Sequence, residues 1–545
     1  MRTNWPTVTT STGKVRGRPS RNERVFEYLG IPYAEPPVGD RRFKPPSPHK
    51  GWDGVFDAYD FGHASAQVFD PHEADAEEYG EAFGVARNDT LPSVGSEDSL
   101  TLNVWTAHEN GDSLPVLVWI HGGANWLESS RLSCYHGGHL AAHGHLVVVS
   151  LNYRLGMFGF LDISPLCEDG YSTSGFNGLL DQKLAIEWVI ENIERFGGDP
   201  TRITLAGESA GSMDITWLAV NGLLPKQIKN LALMSGVASV VGYGKTKTVD
   251  EHSMREGQRR SKGFLKELGI TSKDQLLRQS AQELLKRHAD FVQRSSTLFD
   301  HDTLFYPRVD GIYLTSDPFE GVRQGRLQGY NVLIGFTENE MGLWLNWEKD
   351  LDSKTPEEMA TLLPSFPQDK VADVAQFYRN SFPMKSPQAA AMRLLGDACF
   401  VMPSIFFAKH ASLSGCCVWV YEFGWFEQFG VRGAQHASDL GFFLGTNSAR
   451  ATVKLIGKPQ SLGQEVTRLR LEREVGGALK NFVHSGNPAF GRDLEWPRYQ
   501  FPTHSAMHFE NQRSLAKTGN FEVRWEWWAE HVFASIDSIT QTATH

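Results

Sequence analysis

The sequence predicts an α/β fold, with a central, mostly parallel, twisted sheet flanked by helices. Short apolar runs rich in β-branched residues recur along the chain, and helical patterns fall between them. The composition is that of a globular chain: 545 residues, 41% hydrophobic and 21% charged, with 53 basic against 64 acidic side chains and a net charge of −11. That excludes a mostly disordered or fibrous chain. An acidic balance also argues against nucleic acid, which needs a basic footprint.

Six runs read as buried strands: Leu114–Ile120, Leu146–Asn152, Ile203–Ala206, Leu231–Met234, Val332–Phe336 and Val418–Phe423. In Leu179–Phe196 the residues Leu180, Leu184, Trp188, Ile193 and Phe196 fall close to helical spacing, and Gly197-Gly198-Asp199-Pro200 punctuates the end. Glu251–Val292 is polar and helical, with Ser272-x-x-Gln275 as a capping box, and reads as an insertion over the sheet at about 251–292. Asp70–Ala86 is acidic and poor in aliphatics, so an exposed loop is expected. Glu465–Phe482 reads as a helix packed on its own core. Without an internal repeat or a Gly/Ser-rich linker, residues 1–545 are expected to form one domain.

The apolar runs, such as Leu146–Leu151, fall short of the ~20 residues of a membrane span. Met1–Ser11 shows no apolar signal region, and the C-terminal Thr-His matches no retention address. Five cysteines, two of them adjacent at Cys416 and Cys417, do not suggest a disulfide framework. The sequon Asn88-Asp89-Thr90 is read as a chance match, and a cytoplasmic protein is expected. Neither zinc-type His/Cys spacing nor a nucleotide-type glycine loop is present, so neither metal nor cofactor is expected.

Gly207-Glu208-Ser209-Ala210-Gly211 fits G-x-S-x-G, an elbow in which a strand turns sharply into a helix with serine at the apex. Glycines flank the serine because side chains there would meet the adjoining strand and helix. The turn lifts Oγ clear of the sheet, and the helix N-terminus favours developing negative charge. Alone the pentapeptide is a weak signal, but Ile203–Ala206 supplies the preceding strand. Trp119-Ile-His-Gly-Gly-Ala124 leaves another strand into a glycine-rich loop, which suits an oxyanion hole. Gly123 and Ala124 would donate from that loop and Ala210 from beside the nucleophile, each donor worth ~3–4 kcal/mol.

These blocks, with others in fixed order, resemble the type-B carboxylesterase/cholinesterase family of α/β-hydrolases from about Val15 to Trp528. Leu29-Gly-Ile-Pro-Tyr-Ala-Glu-Pro-Pro-Val-Gly39, Arg42-Phe-Lys-Pro-Pro46 and Ser96-Glu-Asp-Ser-Leu-Thr-Leu-Asn-Val104 resemble its signatures. So do Asn152-Tyr-Arg-Leu-Gly-Met-Phe-Gly-Phe160, Asn177-Gly-Leu-Leu-Asp-Gln182 and Phe196-Gly-Gly-Asp-Pro200. The resemblance implies an α/β-hydrolase fold with helical insertions over the active site. It also implies a serine esterase acting on a small-molecule ester through an acyl-enzyme.

It further implies a triad ordered serine, glutamate, histidine. In Gly335-Phe-Thr-Glu-Asn-Glu-Met-Gly342 the matching acid is Glu340, with Glu338 as the alternative on the same loop. Gly433-Ala-Gln-His-Ala-Ser-Asp-Leu-Gly441 places the base at His436, with Asp439 where relatives carry an acidic residue. Asn125, Glu208 and Trp344 are placed by the same resemblance at the substrate pocket, Asn125 where relatives more often carry an aromatic. Secreted relatives close a loop with a disulfide, but here the two regions carry Ser65 and Ser99, which fits a reducing compartment. Lactone or amide hydrolysis and acyl transfer to an alcohol would use the same machinery. Non-catalytic binding relatives commonly lose the nucleophile, which this chain keeps.

Overall fold

An eleven-stranded mixed sheet runs through the molecule in a computed structural model that describes residues 5–20, 24–68, 93–107, 113–167, 170–238, 251–294, 304–346, 351–363, 366, 368–381, 386–425, 433–489, 495–518 and 521–534. Its strands, in chain order, are β1 (Arg18–Pro19), β2 (Phe26–Pro32), β3 (Thr101–Thr106), β4 (Leu114–Ile120), β5 (Val147–Leu151), β6 (Gly198–Glu208), β7 (Ile228–Met234), β8 (Asn331–Thr337), β9 (Cys417–Phe423), β10 (Ala506–Phe509) and β11 (Leu515–Lys517). Across the sheet they lie as β11-β10-β9-β8-β7-β6-β4-β5-β3-β2-β1. The central run from β10 to β5 is parallel. Antiparallel strands close both flanks.

Burial on both faces explains why the central strands read as unbroken apolar runs. Along β4, Val116, Val118 and Ile120 enter one core while Leu117 and Trp119 enter the other, so the strand feeds both layers through its period of two. All six expected strands are present. β6 is longer than expected, because Gly198-Asp199-Pro200 opens the strand instead of only ending the preceding helix. That helix spans Asn177–Asn192, continues as a 3-10 turn over Ile193–Phe196, and stops at Gly197 with φ +82°.

The expected insertion is three helices, Glu251–Glu267, Lys273–Arg278 and Ala281–Arg294. Its capping box forms only in half. Ser272 Oγ accepts the Gln275 N–H at 3.3 Å, but Gln275 Oε1 reaches past Ser272 to the N–H of Thr271 at 2.8 Å. Leu462–Ser485 is one helix, with Leu471, Val475, Leu479 and Phe482 in the core. The acidic stretch Asp70–Ala86 and the sequon at Asn88 lie outside the described residues.

One segment departs from the membrane reading. Pro387–Leu413 is long and apolar enough to cross a bilayer, with a mean hydropathy of 1.4, yet 94% of that window is buried in the protein. Arg393, Asp397 and Lys409 interrupt its sequence, so no continuous apolar run announces it. All five cysteines are free thiols. Ser65 and Ser99 stand together in the interior, their Oγ atoms 2.9 Å apart, with Ser65 donating to the Tyr153 carbonyl at 2.6 Å.

Candidate active site

β6 delivers the elbow. Ser209 sits between the strand and the helix Ala210–Val220 at φ 53°, ψ −124°, a backbone conformation that L residues rarely adopt. The flanking glycines are required by contact. A Cβ on Gly211 would come 2.3 Å from the Ile120 carbonyl oxygen and 2.5 Å from that of His121. A Cβ on Gly207 would come 2.8 Å from the backbone of Gly211. The turn is pinned by Ser209 N–H donating to Met234 O at 2.9 Å, and Ser209 O accepts from Met213 N–H at 3.0 Å.

The loop after β4 closes on this elbow. Gly122 lies so near that a Cβ there would be 3.2 Å from Ser209 Cβ and 2.8 Å from a Glu208 carboxylate oxygen. Gly123, Ala124 and Asn125 then take successive left-handed conformations, φ 85°, 51° and 62°. Among the described residues, no backbone hydrogen bond uses the N–H of Gly123, Ala124 or Ala210. Tyr153, from the Asn152–Phe160 block, ties the loop down: its hydroxyl donates to His121 O at 2.9 Å, and its ring stacks on His121 at 4.5 Å. Burial pushes the His121 imidazole down to about 4, so it is neutral near pH 7.

Glu340 opens a 3-10 turn just after β8. Its Oε1 accepts the Thr337 N–H at 2.7 Å and the Ser235 hydroxyl at 2.9 Å, and its Oε2 lies 2.5 Å from His436 Nδ1. The His436 N–H also donates to Glu340 O at 3.2 Å, joining the two loops. Glu340, not Glu338, therefore carries the contact with the histidine. On its other side, His436 Nε2 lies 2.9 Å from Glu208 Oε1, off the line of a hydrogen bond. Burial opposes charge on the ring, but the carboxylates of Glu208 and Glu340 outweigh it and push His436 up to about 10.

Two aromatics pack against the imidazole, both tilted to its plane. Trp344 packs at 5.1 Å between ring centroids, and Phe400 packs at 4.6 Å. Sequence reasoning missed Phe400, which sits in a π-helical turn, Asp397–Val401, of the buried 387–413 segment. Of the three pocket residues, Glu208 faces the histidine and Trp344 lies against it. Asn125 is turned inward: its amide donates to Asp214 Oδ1 at 3.1 Å, and the residue is only 2% exposed. It braces the loop after β4 from behind. Beyond it, Trp126 meets His288 of the helical insertion at 6.2 Å, so the insertion borders this loop. Among the described residues no His/Cys/Asp/Glu group could hold a metal ion.

A strained serine at a strand–helix elbow, a glycine-rich loop beside it and a carboxylate-bound histidine define a serine hydrolase site on an α/β-hydrolase sheet. The chain belongs to the carboxylesterase family, whose family model matches residues 4–528. It is 34% identical to the para-nitrobenzyl esterase of Bacillus subtilis (strain 168) over 95% of this chain and 97% of that protein. It is 30% identical to human cocaine esterase over 91% of this chain and 86% of that one. Among solved structures, the Geobacillus stearothermophilus carboxylesterase EST55 superposes with a TM-score of 0.78 at 28% identity, covering 96% and 99% of the two chains.

Proposed function

We propose that the protein hydrolyses small-molecule carboxylic esters through an acyl-enzyme formed on Ser209, with His436 as general base and acid and Glu340 as its orienting partner. The observation that carries this reading is the 2.5 Å contact of Glu340 with His436 Nδ1, which aims Nε2 back at the elbow residue next to Ser209. Neutral His436 takes the Ser209 proton as Oγ attacks the ester carbonyl. The N–H groups of Gly123, Ala124 and Ala210 stabilise the tetrahedral oxyanion. His436 then protonates the departing alcohol, and afterwards activates the water that releases the acid.

The names of the relatives, para-nitrobenzyl esterase and cocaine esterase, support an ester with an aromatic component. Trp344 and Phe400 beside the histidine suit such a group. A chain-length series of p-nitrophenyl esters, run with wild type and Ser209→Ala, tests the proposal. Turnover that falls by orders of magnitude in the variant supports it. Equal turnover in wild type and a folded Ser209→Ala protein rules it out.

A further inference from the structure

We infer that Arg393 is a positioning residue for the catalytic acid, bracing the Glu338–Glu340 loop through its backbone; this rests on the triad proposed above. The backbone that leads into Glu340 is itself tied down. Glu338 N–H donates to Phe423 O at 2.8 Å, and Asn339 N–H donates to Ala434 O at 2.9 Å. Arg393 adds a third tie, since its Nη1 donates to the Glu338 carbonyl. Its Nη2 donates to Glu422 Oε1 at 3.0 Å, and its Nε lies 3.5 Å from Asp397 Oδ1. The planar guanidinium fork donates to the Glu338 carbonyl and the Glu422 carboxylate at once, with Asp397 beside it, a fixed geometry that a flexible ammonium does not reproduce.

The side chain sits on the helix that faces the triad. Arg393 and Gly396 belong to Pro387–Gly396, and Phe400 belongs to the π-helical turn that follows. A Cβ on Gly396 would lie 3.6 Å from Glu340 Cβ, and Phe400 packs on His436. One face of this segment thus touches the loop of the acid, the acid itself and the base. Both carboxylates that Arg393 meets have a second partner. Asp397 accepts from Arg524 at 2.5 and 2.7 Å, and Glu422 lies 2.9 Å from His508 Nδ1. Loss of Arg393 therefore leaves neither carboxylate without a partner, and falls chiefly on the loop. A cavity of about 340 Å³, lined by Glu338, Glu422, His508 and Glu510, opens beside Glu338 and Glu422 and gives small cations a route to them.

The test is Arg393→Ala and Arg393→Lys, assayed with p-nitrophenyl acetate beside Ser209→Ala, with thermal unfolding as the fold control. Arg393→Ala is expected to lower kcat roughly 10- to 100-fold through misplacement of the acid, with KM within about twofold. Guanidinium chloride at non-denaturing concentration is expected to restore part of that kcat, and sodium chloride at equal ionic strength is not. A folded Arg393→Ala protein with kcat within twofold of wild type, or one whose loss lies only in KM, overturns the inference. If Arg393→Ala does not fold, Arg393→Lys decides: a kcat reduced fivefold or more supports the inference, and a smaller change overturns it. Full activity in Ser209→Ala would instead overturn the triad reading, whereas an inactive Ser209→Ala beside a normal Arg393→Ala would remove this inference alone.

Discussion

At the scale of single residues, the site turns on His436 between two carboxylates. A base must be neutral to accept a proton, and this ring is pushed up to about 10, so the neutral fraction grows as pH rises. The acidic limb of kcat/KM is therefore expected to have its midpoint above 6.5, the ordinary imidazole value. In Glu208→Gln one stabilising charge is gone, the imidazolium is less favoured, and the midpoint is expected to move down by about one pH unit or more. A pH profile of the variant checks this, and an unmoved or raised midpoint contradicts it. Ser209 and His436 were legible because their motifs are short and contiguous. The resemblance already placed the acid at Glu340, with Glu338 as the alternative, and in the structure it is Glu340, at the start of the 3-10 turn, that meets His436. Asn125, placed at the pocket by the resemblance, has a left-handed φ of 62° and its amide donates to the buried Asp214, a contact that no motif announces.

At the scale of elements, the parallel strands were readable because burial on both faces leaves apolar runs that no surface helix would carry. The π-helical turn at Asp397–Val401 has no comparable signature, so Phe400 and the brace from Arg393 stayed invisible. The elbow gives the clearest element-level prediction. Gly211→Ala puts a methyl 2.3 Å from the Ile120 carbonyl oxygen, and either strand or helix must shift. A stability loss of about 1–3 kcal/mol is expected, together with a drop in kcat, because either shift disturbs the elbow that holds Ser209, the proposed nucleophile. Thermal denaturation and steady-state kinetics measure both, and an Ala variant with wild-type kcat and midpoint would count against the packing described for the elbow.

At the scale of the whole molecule, two long-range ties set the frame. Arg154 and Asp181 form a buried pair, with Nε to Oδ2 and Nη2 to Oδ1 both at 2.7 Å, and the side chains are 3% and 0% exposed. Asp181→Asn leaves the guanidinium without its counter-charge and is expected to cost about 3–5 kcal/mol in denaturant unfolding. A loss below 1 kcal/mol would show that the pair is not the anchor its geometry suggests. The Ser65–Ser99 contact offers a gain instead. With the two Oγ atoms 2.9 Å apart, Ser65→Cys/Ser99→Cys is expected to oxidise to a disulfide and to add at most about 4 kcal/mol through loop closure. Free-thiol counting and the unfolding midpoint with and without reductant check it. The fold and family were legible at this scale from ordered blocks, but the pocket was not, because its walls come from segments such as 344, 400 and 436 that only the folded chain brings together.

The central claim, a nucleophile at Ser209 activated by His436, is tested most directly by covalent capture. The folded protein is incubated with a fluorophosphonate, and the product is read by intact mass and peptide mapping. The account predicts one adduct per chain, on Ser209, formed far more slowly in His436→Ala. An unmodified chain that still hydrolyses p-nitrophenyl esters, or an adduct mapped to any other residue, would contradict it.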